Sequence, residues 1–217
     1  MRYEYRTGVT KTKSGSKIWL ALPVFGLLVG GYILITALAP QITVFSEPVD
    51  TTAKRLVAEK PNISQNRLYI PKINVDVEIV DINGDEKTAL EKGAIHRAPN
   101  NGNPSEGGNF VLAAHRFQLG WNPELTRKKS PFYHIDQMQK GDQFYVDYDG
   151  TRYAYEVSDK KQVPSNASEI EQRTDEDQLT LYSCSLAGPD AGREVVIAKP
   201  IGTIAWDTGS PKLKPRS

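Results

Sequence analysis

Two unlike patterns of apolar residues divide this chain. From Ile18 to Ala39 (IWLALPVFGLLVGGYILITALA), 22 consecutive residues carry no charge. About 20 apolar residues rising 1.5 Å each are what a helix needs to cross a hydrocarbon core of about 30 Å. Pro23 and the Gly30-Gly31 pair do not veto the helix, because both residue types are commoner in membrane helices than in soluble ones. Beyond Pro40 the apolar residues come instead in short runs separated by turn formers. Leu68–Ile70, Val75–Val80, Asn109–Ala114, Gln143–Tyr148, Arg152–Val157, Gln178–Ser183 and Glu194–Lys199 read as strands by their β-branched and aromatic content. Asp149-Gly150, between two of them, is a two-residue hairpin signal. Short helices are expected at Thr88–Lys92 and Pro131–Gln137. No long amphipathic helix interrupts the series, so the outer domain is mainly β, a barrel or a sandwich.

These patterns set the boundaries. Residues 1–17 form a basic N-terminus, 18–39 a membrane span and 40–66 a spacer punctuated by Pro40, Pro48 and Pro61. The spacer has one short helical possibility, at Thr52–Glu59. The globular domain runs from Arg67 to Thr203, and 204–217, with Asp207, Gly209, Pro211 and Pro215, reads as a flexible tail. Arg2, Arg6, Lys11, Lys13 and Lys17 precede the span against the single acid Glu4. Basic residues are retained on the cytoplasmic side, which puts the N-terminus inside and the domain outside. A cleaved signal peptide is the alternative, since Thr36-Ala37-Leu38-Ala39 offers a small-residue cleavage site.

Composition narrows the function classes. Of 217 residues, 39% are hydrophobic and 24% charged, enough to build a packed core. A net charge of only +1 excludes a dedicated nucleic-acid binder, whose basic face normally shows in the total. One cysteine excludes an internal disulfide framework and any zinc site built on several thiolates. With three histidines, a histidine-rich metal site is equally disfavoured.

The single thiol carries the candidate chemistry. Cys184 follows an apolar strand in LTLYSCS. A lone cysteine is more often a small buried hydrophobe than a nucleophile. Outside the cell, however, an unpaired thiol is open to oxidation, so its retention asks for a reason. A nucleophilic thiol needs an acid–base partner and an oxyanion stabiliser. His115 closes the strand NFVLAAH, and Arg193 opens the strand that follows Cys184 across a loop-like connection. Each also has a bland reading: a strand-capping histidine, and a surface arginine paired with Asp190.

At these positions the sequence resembles the sortase family, membrane-anchored cysteine transpeptidases of bacterial surfaces. The resemblance covers LYIPKINVDVEIV (Leu68–Val80), GAIHRAPNNGNPSEGGNFVLAAHR (Gly93–Arg116) and FYHIDQMQKGDQFYV (Phe132–Val146). It continues through LTLYSC (Leu179–Cys184), against the family's T-L-x-T-C, and REVVIAKP (Arg193–Pro200). It implies a closed β-barrel of about eight strands with short helices, and acyl transfer in two steps. Cys184 attacks a peptide bond in a C-terminal sorting signal of the L-P-x-T-G type and forms a thioester. His115 exchanges protons with the departing and incoming amines, and Arg193 hydrogen-bonds the oxyanion or the substrate backbone. The acceptor amine sits on a cell-wall precursor or a pilin. The chemistry requires no metal or organic cofactor.

The resemblance also implies that Ala114, Thr180 and Ser183, which flank the reacting groups, contact substrate. Ala114 stands where the family usually has glycine, and Ser183 where it usually has threonine, which bears on substrate preference rather than on activity. His96 matches a recurrent noncatalytic position, and His134 in FYHID reads as structural or exposed. Arg116 adjoins His115, but strand alternation turns it the opposite way. Glu169, Glu171, Asp175, Glu176 and Asp177 cluster before the cysteine strand, where some family members bind calcium. A solvated acidic loop is the commoner origin of such a run. No Asp-Pro-Phe or Asp-Pro-Trp lid motif occurs in the spacer, which disfavours a lidded pilus-building class. The rival functions are a cysteine peptidase and a non-catalytic surface scaffold. An L,D-transpeptidase would need H-G and S-x-G-C patterns that are missing here.

Overall fold

The computed structural model describes residues 18–41, 56, 59–82, 84–207 and 210–216. Two compact units separate, Met1–Ile35 and Thr36–Ser217. Helix α1 (Ile18–Leu38) is long and apolar enough to cross a membrane. Its large apolar side chains, such as Phe25 and Leu27, are exposed along its length, as suits a helix solvated by lipid. The expected spacer helix at Thr52–Glu59 falls almost entirely outside the described residues.

The second unit is mainly β. In chain order its strands are β1 (Arg67–Ile70), β2 (Val75–Asp81), β3 (Ala94–Arg97), β4 (Gly102–Asn103) and β5 (Gly107–Ala113). They continue with β6 (Gln143–Tyr148), β7 (Thr151–Val163), β8 (Gln178–Ser185), β9 (Gly188–Asp207) and β10 (Ser210–Pro215). Hydrogen bonding runs β9-β7-β6-β1-β2-β3-β5, and β8 pairs with both β5 and β9, which closes an eight-strand barrel. Among the described residues, only β2–β3 and β5–β8 are parallel. The β6–β7 hairpin turns at Asp149 and Gly150 with φ of 47° and 77°, the conformation that an Asp-Gly turn favours.

Period-two alternation divides the side chains between two cores. Leu68, Ile70, Phe110, Leu112, Phe144, Val146, Leu179, Leu181, Val196 and Ala198 fill the barrel. Val111, Ala113, Tyr182 and Val195, their alternates, form a second apolar cluster on the outer face. Ile95, Ala89 and Ile170 complete it; Ala89 lies on helix α2 (Glu86–Leu90) and Ile170 on the 3-10 turn Ser168–Glu171. Asp85 caps α2 by accepting from the Thr88 amide at 3.0 Å.

Three local expectations change. The segment Pro131–Gln137 is helical only as a 3-10 turn over Ile135–Gln137, whereas a helix forms just upstream, α3 (Pro123–Lys128). Its start signal was legible: Asn122 accepts from the Leu125 amide at 2.7 Å, with proline at the first helical position. The strand β3, four residues with a histidine in the middle, was too short and too polar to register as a strand run. The expected flexible tail is a correction: β9 continues to Asp207, and β10 pairs with it from Ser210 to Pro215. Its prolines are tolerated because β10 is an edge strand, where a missing N–H on the outer side costs no ladder bond. Gly202 admits β10 closely, since a Cβ there would collide with the Lys214 carbonyl.

One buried ion pair ties β6 to β7. The Arg152 guanidinium, 2% exposed, donates from Nε and Nη2 to both carboxylate oxygens of Asp147 at 2.5 and 2.7 Å. Tyr69 and Trp206 stack on it, each ring centroid 5.1 Å from Cζ, and Nη1 reaches the Leu56 carbonyl. Arg152→Ala should therefore cost about 3–5 kcal/mol, because it leaves Asp147 buried and unpaired. Replacing both partners with apolar residues should cost much less. Urea unfolding midpoints of the single and double variants will check this.

Candidate active site

The candidate residues lie along three adjacent strands. β8 is the middle one. In its antiparallel pairing with β9, Cys184 stands directly opposite Arg193. Directly opposed residues share a face, with Cβ atoms about 4.5–5.5 Å apart. On the other side β5 runs parallel to β8, pairing Val111 with Thr180 and Ala113 with Tyr182. The Ala114 amide then donates to the Tyr182 carbonyl at 3.3 Å. The described pairing of β5 with β8 ends there, and His115 is the next residue along the chain. The β8–β9 register sets Arg193 opposite Cys184, and His115 follows two residues after the Ala113–Tyr182 pair that ends β5. The β8–β9 register also shifts between Cys184 and Ser185, a local irregularity that bends the strand beyond the thiol.

All three side chains are half-buried, and Cys184 is free of any disulfide. Burial lowers the His115 pKa from its ordinary value; Glu91 opposes the shift by attracting the imidazolium, and Lys129 adds to it by repulsion. Glu91 and Lys129 are themselves an ion pair at 3.2 Å. At neutral pH the imidazole is therefore mainly neutral, able to accept a proton and to return it. Arg193 donates from Nε to the Ser165 carbonyl at 3.0 Å, and its Cζ lies 5.1 Å from the Tyr182 ring centroid.

The remaining candidates separate by face. Ala114 belongs to the interior core, and Ser183, 2% exposed, alternates away from Tyr182 and Cys184. Thr180 shares the outer face but is 1% exposed, and its hydroxyl donates to Asn109 Oδ1 at 2.7 Å. The three positions expected to contact substrate thus all carry buried side chains. Arg116 is also buried and pairs with Asp136 at 2.7 Å. His96 is buried against Phe110 and meets the Gly102 carbonyl through Nε2 at 3.2 Å. His134 lies 2.8 Å from the Pro40 carbonyl through Nε2. Both are structural.

The loop between β7 and β8 is clamped over the outer face. Asn109 donates to the Ile170 and Gln172 carbonyls at 2.9 and 2.8 Å, and Asn101 donates to the Glu171 carbonyl at 2.7 Å. Its acidic residues are largely committed to protein partners. Glu171 Oε1 accepts from Arg97 Nε at 3.0 Å and from the Tyr182 hydroxyl. Glu176 pairs with Lys199 at 2.8 Å, and Asp177 accepts from the Gly108 amide at 2.7 Å and pairs with Arg216. Among the described residues, no three His, Cys, Asp or Glu side chains converge as metal ligands. Asn109 and Tyr182 escaped the sequence reading, which took Glu171 only as part of an acidic loop. Tyr182 could have been found by alternation, two positions before Cys184 on the same strand face.

A family model described as "Sortase domain" matches residues 68–201. Sortase A of Bacillus anthracis is 26% identical over 140 residues, a match covering 64% of this chain and 60% of that protein. Among solved structures, Listeria monocytogenes sortase A superposes with a TM-score of 0.54 at 20% identity, covering 69% of this chain and 90% of that one. Sortase C2 of Group B Streptococcus Pilus Island 1 gives 0.52 at 28% identity, covering 63% and 73%.

The electrostatics at His115 yield a signed prediction. Removing Glu91 withdraws the attraction that raises the imidazole pKa, so Glu91→Gln should move the His115 titration to lower pH. Lys129→Gln removes a repulsion and should move it to higher pH. NMR titration of the imidazole C–H resonances in the three proteins will show whether the two shifts have opposite sign.

Proposed function

Because the chain belongs to the sortase family, whose members are transpeptidases, we propose that Cys184 is its nucleophile, with His115 as acid–base partner and Arg193 as electrophilic support. The pairing of Cys184 with Arg193 across β8 and β9, with His115 just beyond the end of the neighbouring β5, supports this reading. The proposed substrates are proteins ending in an L-P-x-T-G-like sorting signal, and the acceptor is an amine on a cell-wall precursor or pilin.

In the reactive form the Cys184–His115 pair carries a thiolate and an imidazolium. The thiolate adds to the scissile carbonyl, and the tetrahedral oxyanion takes hydrogen bonds from Arg193, whose guanidinium stays protonated and cannot serve as a base. As the C–N bond breaks, the imidazolium gives its proton to the departing amine, leaving a thioester and a neutral imidazole. The incoming amine then adds to the thioester, His115 takes its proton, and the C–S bond breaks to return the thiolate. If water replaces the amine, the same steps hydrolyse the substrate.

Helix α1 is the proposed anchor, with the basic residues 1–17 on the cytoplasmic side and the barrel outside. Protease added to wall-stripped cells should digest the barrel and spare an N-terminal tag. Protection of the barrel would refute this orientation.

The covalent step is tested by mass spectrometry. An L-P-x-T-G peptide should leave an adduct on the protein that hydroxylamine releases, and an added amine should divert product from acid to amide. Cys184→Ala should show neither adduct nor turnover; unchanged transfer by that variant would sink the mechanism. Arg193→Ala should lower kcat about 100- to 1,000-fold, the usual scale for one oxyanion donor. Arg193→Lys should recover little, since an ammonium lacks the planar fork. Arg116→Ala should act chiefly on stability, because Arg116 is buried and paired with Asp136.

A further inference from the structure

We propose that Tyr182 is a positioning residue for Arg193: its ring is the platform on which the guanidinium rests, and Glu171 fixes that ring by binding its hydroxyl. The inference rests on the transpeptidase reading for its functional consequence, and on geometry alone for the platform. Arg193 Cζ stands 5.1 Å from the Tyr182 ring centroid, within the range in which a cation is attracted to an aromatic face. Strand alternation puts Tyr182 and Cys184 on the same face of β8, so the platform lies beside the thiol rather than behind it. The ring is 4% exposed and packs with Val111, Ala113, Ile170 and Val195, which leaves it little freedom to turn.

The hydroxyl end is fixed independently. Tyr182 donates to Glu171 Oε1, and the same oxygen accepts from Arg97 Nε at 3.0 Å, with Arg97 Nη1 reaching Glu86 at 2.7 Å. Burial, reinforced by Glu171, pushes the phenol well above its ordinary pKa, so the hydroxyl remains a donor. The loop that carries Glu171 also supplies the Ser165 carbonyl that holds Arg193 Nε at 3.0 Å. Arg193 is thus held by its face and by one nitrogen. That leaves Nη1 and Nη2 as the donors for a developing oxyanion or a neighbouring carbonyl, in a plane set by the tyrosine. A flexible arginine would lose orientation rather than charge, which lowers kcat more than it raises KM.

The experiment combines kinetics with a substrate-free signal. Tyr182→Phe, which keeps the ring, should hold kcat within about threefold, whereas Tyr182→Leu, of comparable bulk without a π-face, should lower kcat about tenfold with KM nearly unchanged. In an Arg193→Ala background, Tyr182→Leu should cost less than about twofold more, because the group it positions is gone. Glu171→Gln, which leaves the apolar cluster intact, should lower kcat about threefold and have no effect in a Tyr182→Phe background. It serves as the second probe should Tyr182→Leu fail to fold. The Arg193 Nε–H resonance, identified by its loss in Arg193→Lys, should show an upfield ring-current shift that persists in Tyr182→Phe and vanishes in Tyr182→Leu. Additive effects of Tyr182→Leu and Arg193→Ala, or equal losses in the Phe and Leu variants, would overturn the positioning role. An Nε–H resonance indifferent to Tyr182→Leu would overturn the platform. Wild-type protein inactive on every sorting peptide would refute the transpeptidase reading and with it the kinetic role, while the resonance would still decide the platform.

Discussion

Everything at the candidate site depends on β8 being hydrogen-bonded on both sides. Its parallel pairing with β5 and antiparallel pairing with β9 close the barrel and set two registers at once. One places Arg193 opposite Cys184, and the other holds the end of β5, two residues before His115, against Tyr182. A slip of one residue in either register would send a candidate side chain to the opposite face. The interior residues Leu112, Leu179, Leu181, Val196 and Ala198 guard against such a slip, because moving them outward would empty the barrel core. The packing that stabilises the fold and the geometry that aligns the site are therefore one constraint.

The outer face adds what the barrel cannot. A sheet end alone leaves a thiol, an imidazole and a guanidinium in water, where charge stabilisation is weak. Here the loop between β7 and β8, pinned by Asn109 and Asn101, lies over the outer face of the sheet, and α2 packs against the same apolar cluster. The result is half-burial of all three groups, enough to depress the His115 pKa without closing the thiol off. Carboxylates that resemble a metal-binding run in sequence serve instead as anchors: Glu171 for Arg97 and Tyr182, Asp177 for the Gly108 amide.

The buried charge of Arg152 has a partner at every guanidinium nitrogen. Arg152 is enclosed by a carboxylate, a backbone carbonyl and two aromatic faces, so its desolvation is offset on every side. Through Leu56 this pair also joins the segment before the barrel to the β6–β7 hairpin. The edge strand β10, covering Gly202 and returning Arg216 toward Asp177, fastens the C-terminal segment to the same domain.

The sequence by itself determined the local structure and the inventory of reactive groups. An uncharged run of helical length, period-two strands and an Asp-Gly turn each follow from short-range sterics and hydropathy, which need no partner to be read. The resemblance at Cys184, His115 and Arg193 supplied their chemistry. What the tertiary structure decided was adjacency. Alternation says which residues share a face, but not which strand lies beside another, and β5 and β8 pair across a long stretch of intervening chain. So Thr180 could be named as a neighbour of the thiol without its bond to Asn109, and Tyr182 could be passed over although it carries the guanidinium. The tail misled for a similar reason: prolines and a glycine describe poor interior strand, whereas an edge strand needs hydrogen bonds on one side only.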